Sequence, residues 1–230
     1  MIRDLMLPIT GTAGDTAAVS AAIGLASSFG AHLSVIEPMR LPLPTPEPWG
    51  ATLASGLEGV HEKLRDEAES SAARLRARLD KEFISYDVRI AEAFVAPSLA
   101  VVPHARHADL SVVTAPEADA SVAATARGFF SALLFESGRP VLVVPAHHLI
   151  ELPIRHVVVA WQPTRESTRA LHDAMPILAE ATSVDVLIVD PLGDAGHGAE
   201  PGIDIATHLA RHGLKVNAVR VPGGKTVAST

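Results

Sequence analysis

The chain has no cysteine among its 230 residues. That excludes disulfides, a thiolate nucleophile and thiolate-held metal, and it fits a reducing compartment. Positive charge is not in excess either: 19 Lys and Arg stand against 26 Asp and Glu, a formal net charge of -7. With that balance no basic face able to hold nucleic acid phosphates is expected. No apolar stretch approaches the roughly 20 residues that span a bilayer, so no membrane partner is expected. Asp4 stands directly before a short apolar run that reaches Pro8, a pattern that predicts neither a secretory nor a transit peptide. A cytoplasmic location is the expectation that follows. What the chain does have is core material: 48% of its residues are hydrophobic and 20% charged, enough for one large or two small domains.

Leu5 to Ile9 is an apolar run that Thr10-Gly11-Thr12-Ala13-Gly14 breaks, and an Ala-rich segment with helical spacing follows from Asp15 to Phe29. Gly30 stops it, and His32 to Glu37 resumes an apolar, β-branched pattern. Strand, Gly-rich turn, helix and strand make a βαβ unit whose unbroken strands imply burial on both faces. Proline at 38, 42, 44, 46 and 48 predicts a loop from Pro38 to Gly50. A charged amphipathic helix is predicted over Leu57 to Phe83 and a strand over Tyr86 to Phe94. Pro97 opens a short helix that Pro103 kinks or ends, and Asp109 to Thr114 reads as a buried strand. A helix over Ala123 to Glu136, stopped by Gly138, leads to a fifth strand at Val141 to Pro145. Five strands alternating with such connections predict an α/β fold with a doubly wound, mostly parallel sheet over residues 1–150.

The pattern then starts again. Arg155 to Trp161 reads as a strand, Gln162-Pro163-Thr164 as a turn, Arg165 to Ala181 as a helix and Ser183 to Asp190 as a strand. A helix from about Pro201 to His212 and a strand from Lys215 to Val221 follow. At a shift of roughly 152 residues Thr164 falls on Thr12, which marks an internal duplication. Residues 151–230 are therefore expected to be the N-terminal half of a second copy. Half a sheet would leave apolar surface bare beside Val157 to Trp161, so a longer protein is expected.

Two stretches carry a family resemblance: His107-Ala108-Asp109-Leu110-Ser111-Val112-Val113, and Ser137-Gly138-Arg139-Pro140-Val141-Leu142-Val143-Val144-Pro145. Val157 to Trp161 followed by Arg165-Glu166-Ser167-Thr168-Arg169-Ala170-Leu171 supports the same likeness. On these residues the chain resembles the universal stress protein family, in its tandem-domain form with the second domain incomplete. The resemblance implies a Rossmann-like sheet in the order 3-2-1-4-5 and a role in the stress response.

Many members of that family bind ATP on a loop of pattern G-x2-G-x9-G-[ST] between the fourth strand and the next helix. Glycines there let backbone amides approach the phosphates, and the helix N-terminus adds partial positive charge. Laid on this chain without gaps, the pattern falls on Thr114, Glu117, Arg127 and Gly128, so none of its three glycine positions holds glycine. Glu117 would set a carboxylate near a polyphosphate, the side chains at 114 and 127 would crowd the backbone, and Pro116 removes an amide donor. Family members also commonly hold an acidic residue in the turn after the first strand. Here Thr10-Gly11-Thr12 and Gln162-Pro163-Thr164 occupy those turns, with Asp15 close to the first. Asp15 or Thr12, and Thr164 in the second copy, read best as helix caps. All ten positions are candidate pieces of a degenerate or incomplete nucleotide site. No cofactor is expected for this chain, and ATP is left to a complete second domain.

Nothing in the sequence marks a catalytic or metal centre. Gly223-Gly224-Lys225-Thr226 resembles the end of a P-loop, but its first glycine would fall on Val219, inside a strand. His208 and His212 stand four apart on a helix, His104 lies near His107, and His147 precedes His148. Each pair lacks an obvious third ligand, so no metal is expected. There is no G-x-S-x-G elbow, and no Ser, His and Asp set is singled out. Trp49 and Trp161 read as packing. The expectation is a non-catalytic binding or signalling module of the stress response. Two alternatives stay open: an ATP-binding member that hydrolyses slowly with its second domain, and a structural or assembly role through sheet edges. In the implied order the fifth strand, Arg139 to Pro145, is an edge. A bare Val-rich edge is a template for pairing, so a homodimer through it is expected; the sequence identifies no other protein partner.

Overall fold

The apolar runs of the first half form a single parallel sheet of five strands: β1 (Asp4–Pro8), β2 (His32–Arg40), β3 (Ser85–Ala93), β4 (Leu110–Thr114) and β5 (Val141–Val144). Their order is β3-β2-β1-β4-β5, with every neighbouring pair parallel. The computed structural model describes residues 1–42, 54–94, 96–117, 120–147, 150–190 and 202–222. The chain divides into two compact units, Met1–Ile150 and Glu151–Thr230.

Burial explains why these segments are strands. Leu5, Met6 and Leu7 of β1 are shut away from water, as is every position of β4, which is what unbroken apolar runs require of central parallel strands. Between β1 and β2 runs α1 (Asp15–Phe29), whose buried face is built mainly from small residues, Ala17, Ala18, Ala21, Ala22 and Ala26. Gly30 ends it at φ 59°, where a Cβ is unfavourable, and the Ala31 amide returns to the Ala26 carbonyl at 2.9 Å. The remaining helices of this unit are α2 (Ala54–Leu79), α3 (Pro97–Ala100), α4 (Val102–Ala105) and α5 (Ala120–Glu136). Met6, Ile36, Val101, Ala105, Val113, Phe129 and Leu133 form one continuous core among β1, β2, β4, α4 and α5. Met39, Leu41 and Ala68 form a second cluster where α2 meets β2.

Three expectations need correction. The strand β2 does not stop before Pro38; it continues to Arg40, with Pro38 level with Ala91 of β3. The reason is local. The Ile36 carbonyl accepts the Ile9 amide on the β1 side, so by the two-residue alternation Pro38 directs its missing N–H to that side too, where β1 has already ended. Residues 43–50 of the expected loop lie outside the described residues. The helix expected to reach Phe83 ends at Leu79, and Phe83 stands fully exposed beyond it. The helix expected from Ala123 begins at Ala120, which shortens the connection after β4.

The second unit holds β6 (His156–Ala160), α6 (Arg165–Leu178), β7 (Ser183–Asp190), α7 (Ile203–Arg211) and β8 (Val216–Pro222). Its parallel sheet runs β6-β7-β8, the order in which β1, β2 and β3 neighbour one another. Leu171, Leu178, Val184, Val186, Ile188 and Leu209 are its core, with Trp161 partly buried against them. Among the described residues β6 pairs with β7 alone, and Val158 is 57% exposed. No helix among the described residues is long and apolar enough to cross a membrane. Gly223 to Thr226 and Trp49 lie outside the described residues.

Candidate functional site

In a parallel sheet the strand ends that carry carbonyls, and the turns that follow them, make the crevice in which ligands are held. At the end of β1 the chain turns through Thr10, Gly11 and Thr12 before α1. Gly11 takes φ 75°, a conformation that favours glycine, and so points successive amides into the turn. Those amides are already used. The Asp15 carboxylate reaches back from the first turn of α1 to accept the Thr10 amide at 3.0 Å, the Gly11 amide at 2.8 Å and the Thr10 hydroxyl at 2.7 Å. The Thr10 hydroxyl also lies 2.8 Å from that of Thr12. Asp15 is therefore no N-cap. Gly14 holds that position without a side-chain bond, and the expected capping by Asp15 or Thr12 gives way to a carboxylate closing the turn on itself.

Burial pushes the Asp15 carboxyl above its ordinary pKa, although hydrogen bonds from Thr10, Gly11 and Thr12 pull the other way. A second carboxyl stands close by. Glu37 of β2 is also raised, first by burial and in part by the charge of Asp15, while the Ser71 hydroxyl at 3.1 Å and Arg74 oppose the rise. This end of the sheet thus concentrates negative charge where a polyphosphate would add more.

Across the crevice, β4 delivers Thr114, which is 1% exposed and packs against Gly14. A Cβ added to Gly14 would come 1.9 Å from Thr114 Oγ1 and 3.0 Å from Ala146 Cβ. The one small residue in this contact sits on the α1 side and the branched one on β4, so the main chain at Thr114 is covered. Glu117 follows after Pro116. Its Oε1 is buried without a hydrogen-bond partner among the described residues, and its Oε2 lies 3.5 Å from Nε2 of the exposed His147.

Thr10, Gly11, Thr12 and Thr114 thus come together in one crevice, with Glu117 three residues further along the chain. Arg127 and Gly128 do not join them. Both lie inside α5, seven and eight residues past Ala120, so a gapless reading of the phosphate loop fails because the helix starts early. A Cβ at Gly128 would meet only Ser98 of α3, at 3.8 Å. In the second unit Gln162, Pro163 and Thr164 form an exposed turn, and Thr164 caps α6 by accepting the Ser167 amide at 3.2 Å. Sequence reading missed Glu37, which feels the charge of Asp15, and Ser71 and Arg74, which the packing of α2 on β2 brings to Glu37.

The residues present do not fit a triphosphate. The amides of the first turn are bound to Asp15, the β4 main chain is covered by its own threonine, and the carboxyls of Asp15 and Glu37 lie close enough to feel one another's charge. Metal chemistry has no better seat: among the described residues no three His, Asp or Glu side chains are placed to hold an ion. His208 contacts the rings of His172 and His212 edge-on, with centroids 5.5 Å and 4.8 Å away.

A five-stranded parallel sheet in this order, crossed by helices and open at its carbonyl ends, defines a doubly wound α/β protein of the Rossmann-like type. Its fold is that of the universal stress proteins. A universal stress protein from Archaeoglobus fulgidus DSM 4304 superposes with a TM-score of 0.68 at 13% identity, over 96% of this chain and 77% of that one. The universal stress protein UspA from Lactobacillus plantarum gives a TM-score of 0.52 at 14% identity, over 62% of this chain and 97% of that one. A third, from Archaeoglobus fulgidus and in complex with dAMP, gives 0.42 at 14% identity over 63% of this chain and 99% of that one. No family model matches the sequence, and no curated protein matches it.

Proposed function

We propose that this chain is a universal stress protein whose first unit has given up nucleotide, and that it serves in the cytoplasm as a binding or signalling module with no catalysis at that crevice. The shared fold supports the family, and one observation carries the loss of nucleotide: the Asp15 carboxylate occupies the amides that a phosphate would need. Replacing that internal anion by an external one would have to break three hydrogen bonds and set phosphate charge beside Asp15 and Glu37. Equilibrium binding of labelled ATP to the intact chain tests this. No saturable uptake at micromolar concentrations is the expected result, and saturable micromolar binding overturns the reading. It would favour instead an ATP-binding protein with slow hydrolysis, its nucleotide held through a completed second domain.

The sheet edge favours a second role, in assembly. Among the described residues β5 has β4 on one side only, and Val141, Leu142 and Val143 keep partial exposure there with no charged residue among them. Two chains that pair β5 against β5 would satisfy both edges and bury these valines. Light scattering should then give the mass of a dimer, and Val143→Lys should give that of a monomer. A monomeric unsubstituted chain rules the pairing out.

A further inference from the structure

Far from the crevice at the end of β1, the opposite end of the same sheet carries an arrangement that no local pattern in the sequence predicts. Side chains two apart on a strand share a face, so His32 and Ser34 stand together on β2, and Ser85 and Asp87 stand together on β3. The parallel register sets His32 level with Ser85 and Ser34 level with Asp87. All four side chains therefore meet on one face at the start of these strands. Five residues of β2, about 16 Å of strand, separate His32 from Glu37 at the crevice.

The contacts form a line. Ser85 Oγ lies 2.7 Å from His32 Nδ1, and His32 Nε2 lies 3.1 Å from Asp87 Oδ1. Asp87 is held by further bonds: the Ser34 hydroxyl donates to Oδ1 at 2.6 Å, and Arg89 Nε donates to Oδ2. Burial raises the Asp87 carboxyl, but the bonds from Ser34, Arg89 and His32 outweigh it and keep the pKa below the ordinary value. An ionised carboxylate can only accept, so Nε2 of a neutral His32 must carry its proton. Nδ1 is then a bare lone pair, and the Ser85 hydroxyl is the group that donates to it. A nucleophile, a base and a carboxylate that fixes the tautomer of the base are thereby in sequence, and Ser85 is exposed to solvent.

We propose that Ser85 is an activated nucleophile that takes an acyl group from activated carboxylic esters, with His32 as its general base and Asp87 as the orienting carboxylate. In the first step Ser85 Oγ bonds to the carbonyl carbon, and its proton passes to His32 Nδ1. Collapse of the adduct breaks the carbon–oxygen bond to the alcohol or phenol, which leaves with that proton, and the acyl group remains as an ester on Ser85. Water, deprotonated by the same His32, later releases the carboxylic acid and restores the hydroxyl. A trigonal carbonyl can reach an exposed hydroxyl from solvent, whereas a phosphate ester would bring anionic oxygens toward Asp87, which is why esters are the expected class.

A plain strand-to-strand crosslink would show the same distances, so the test must read reactivity. The intact chain is treated with p-nitrophenyl acetate and acetylated serines are timed by peptide mass spectrometry. Ser70 is the internal standard: it is exposed too, but its hydroxyl accepts from Arg74, a donor and no base. Acetyl should appear on Ser85 about 100-fold faster than on Ser70, the lower range for a positioned base. His32→Gln, which can keep bonds to both neighbours but cannot take a proton, should bring Ser85 down to the Ser70 rate. Ser34→Ala, which removes a hydroxyl bonded to Asp87 and not to His32 or Ser85, should leave Ser85 well above it. Equal rates at Ser85 and Ser70 in the unsubstituted chain overturn the proposal, and so does a His32→Gln chain that is acetylated as fast as the original.

Discussion

Gly14→Ala is expected to destabilise the first unit by about 3 kcal/mol, the range of a core forced to take an extra methyl with nowhere to go. The backbone is not the obstacle. Gly14 sits at φ −65°, which any residue adopts, and no side-chain cap is lost. The cost comes from contact alone, since the new Cβ would lie 1.9 Å from Thr114 Oγ1 and 3.0 Å from both Thr114 Cβ and Ala146 Cβ. Thr114 cannot simply swing away, because it is 1% exposed at the end of the fully buried β4. A second substitution separates this account from a general weakness of the turn. Thr114→Ala removes the oxygen in collision, at the cost of a long 3.4 Å bond to the Ala115 carbonyl and one buried methyl. In the double variant most of the loss should therefore return, though not all, as two contacts at 3.0 Å remain. Urea midpoints of the two single variants and the double variant give the coupling directly. Additive losses would mean that Gly14 and Thr114 do not press on each other.

The same pair explains why the crevice is hard to read from sequence. A phosphate loop needs glycine where β4 ends, and the sequence has Thr114 there. The structure shows a glycine in that contact after all, but on the other wall, at the start of α1, where it makes room for the threonine instead of for a ligand. The strands, by contrast, were plain. Short β-branched runs such as Leu110 to Thr114, bounded by turn signals, read as buried strands, and Gly30 ends α1 as a helix stop should. Thr164 caps α6 as its residue type suggests. What stayed hidden depends on distance along the chain. Pro38 looked like a strand breaker because nothing local reveals that β1 is too short to need its amide. Asp15 looked like a cap because helix starts favour aspartate, while its actual partners lie behind it in the turn. His32, Ser85 and Asp87 become neighbours only through the register of β2 with β3, which joins residues 53 and 55 positions apart.

Leu209→Ala is expected to unfold the second unit while the first stays folded. Leu209 is fully buried and α7 presents it to Leu171, Leu178, Val184, Val186 and Ile188, which together are all of the fully buried core that this unit has among the described residues. Nine residues of α7 are too few to be helical without that contact. Truncating a buried leucine costs about 2–5 kcal/mol. The five-stranded first unit has a far larger core to absorb such a loss, but a sheet of three strands buries a smaller share of its surface, and the loss matches the whole stability of a marginal domain. Hydrogen exchange separates the units residue by residue. Amides of β7, protected on both sides by β6 and β8, should exchange in the variant as fast as those of an unfolded chain. Amides of β1 and β4 should keep the protection they have in the parent. Leu133→Ala, an equally buried leucine of the first unit, supplies the comparison: it should lower the protection of β4 by a similar free energy yet leave that sheet formed. If β7 stays protected after Leu209 is cut back, the second unit draws its stability from something other than this small core. If β1 and β4 lose protection together with β7, the two units unfold as one.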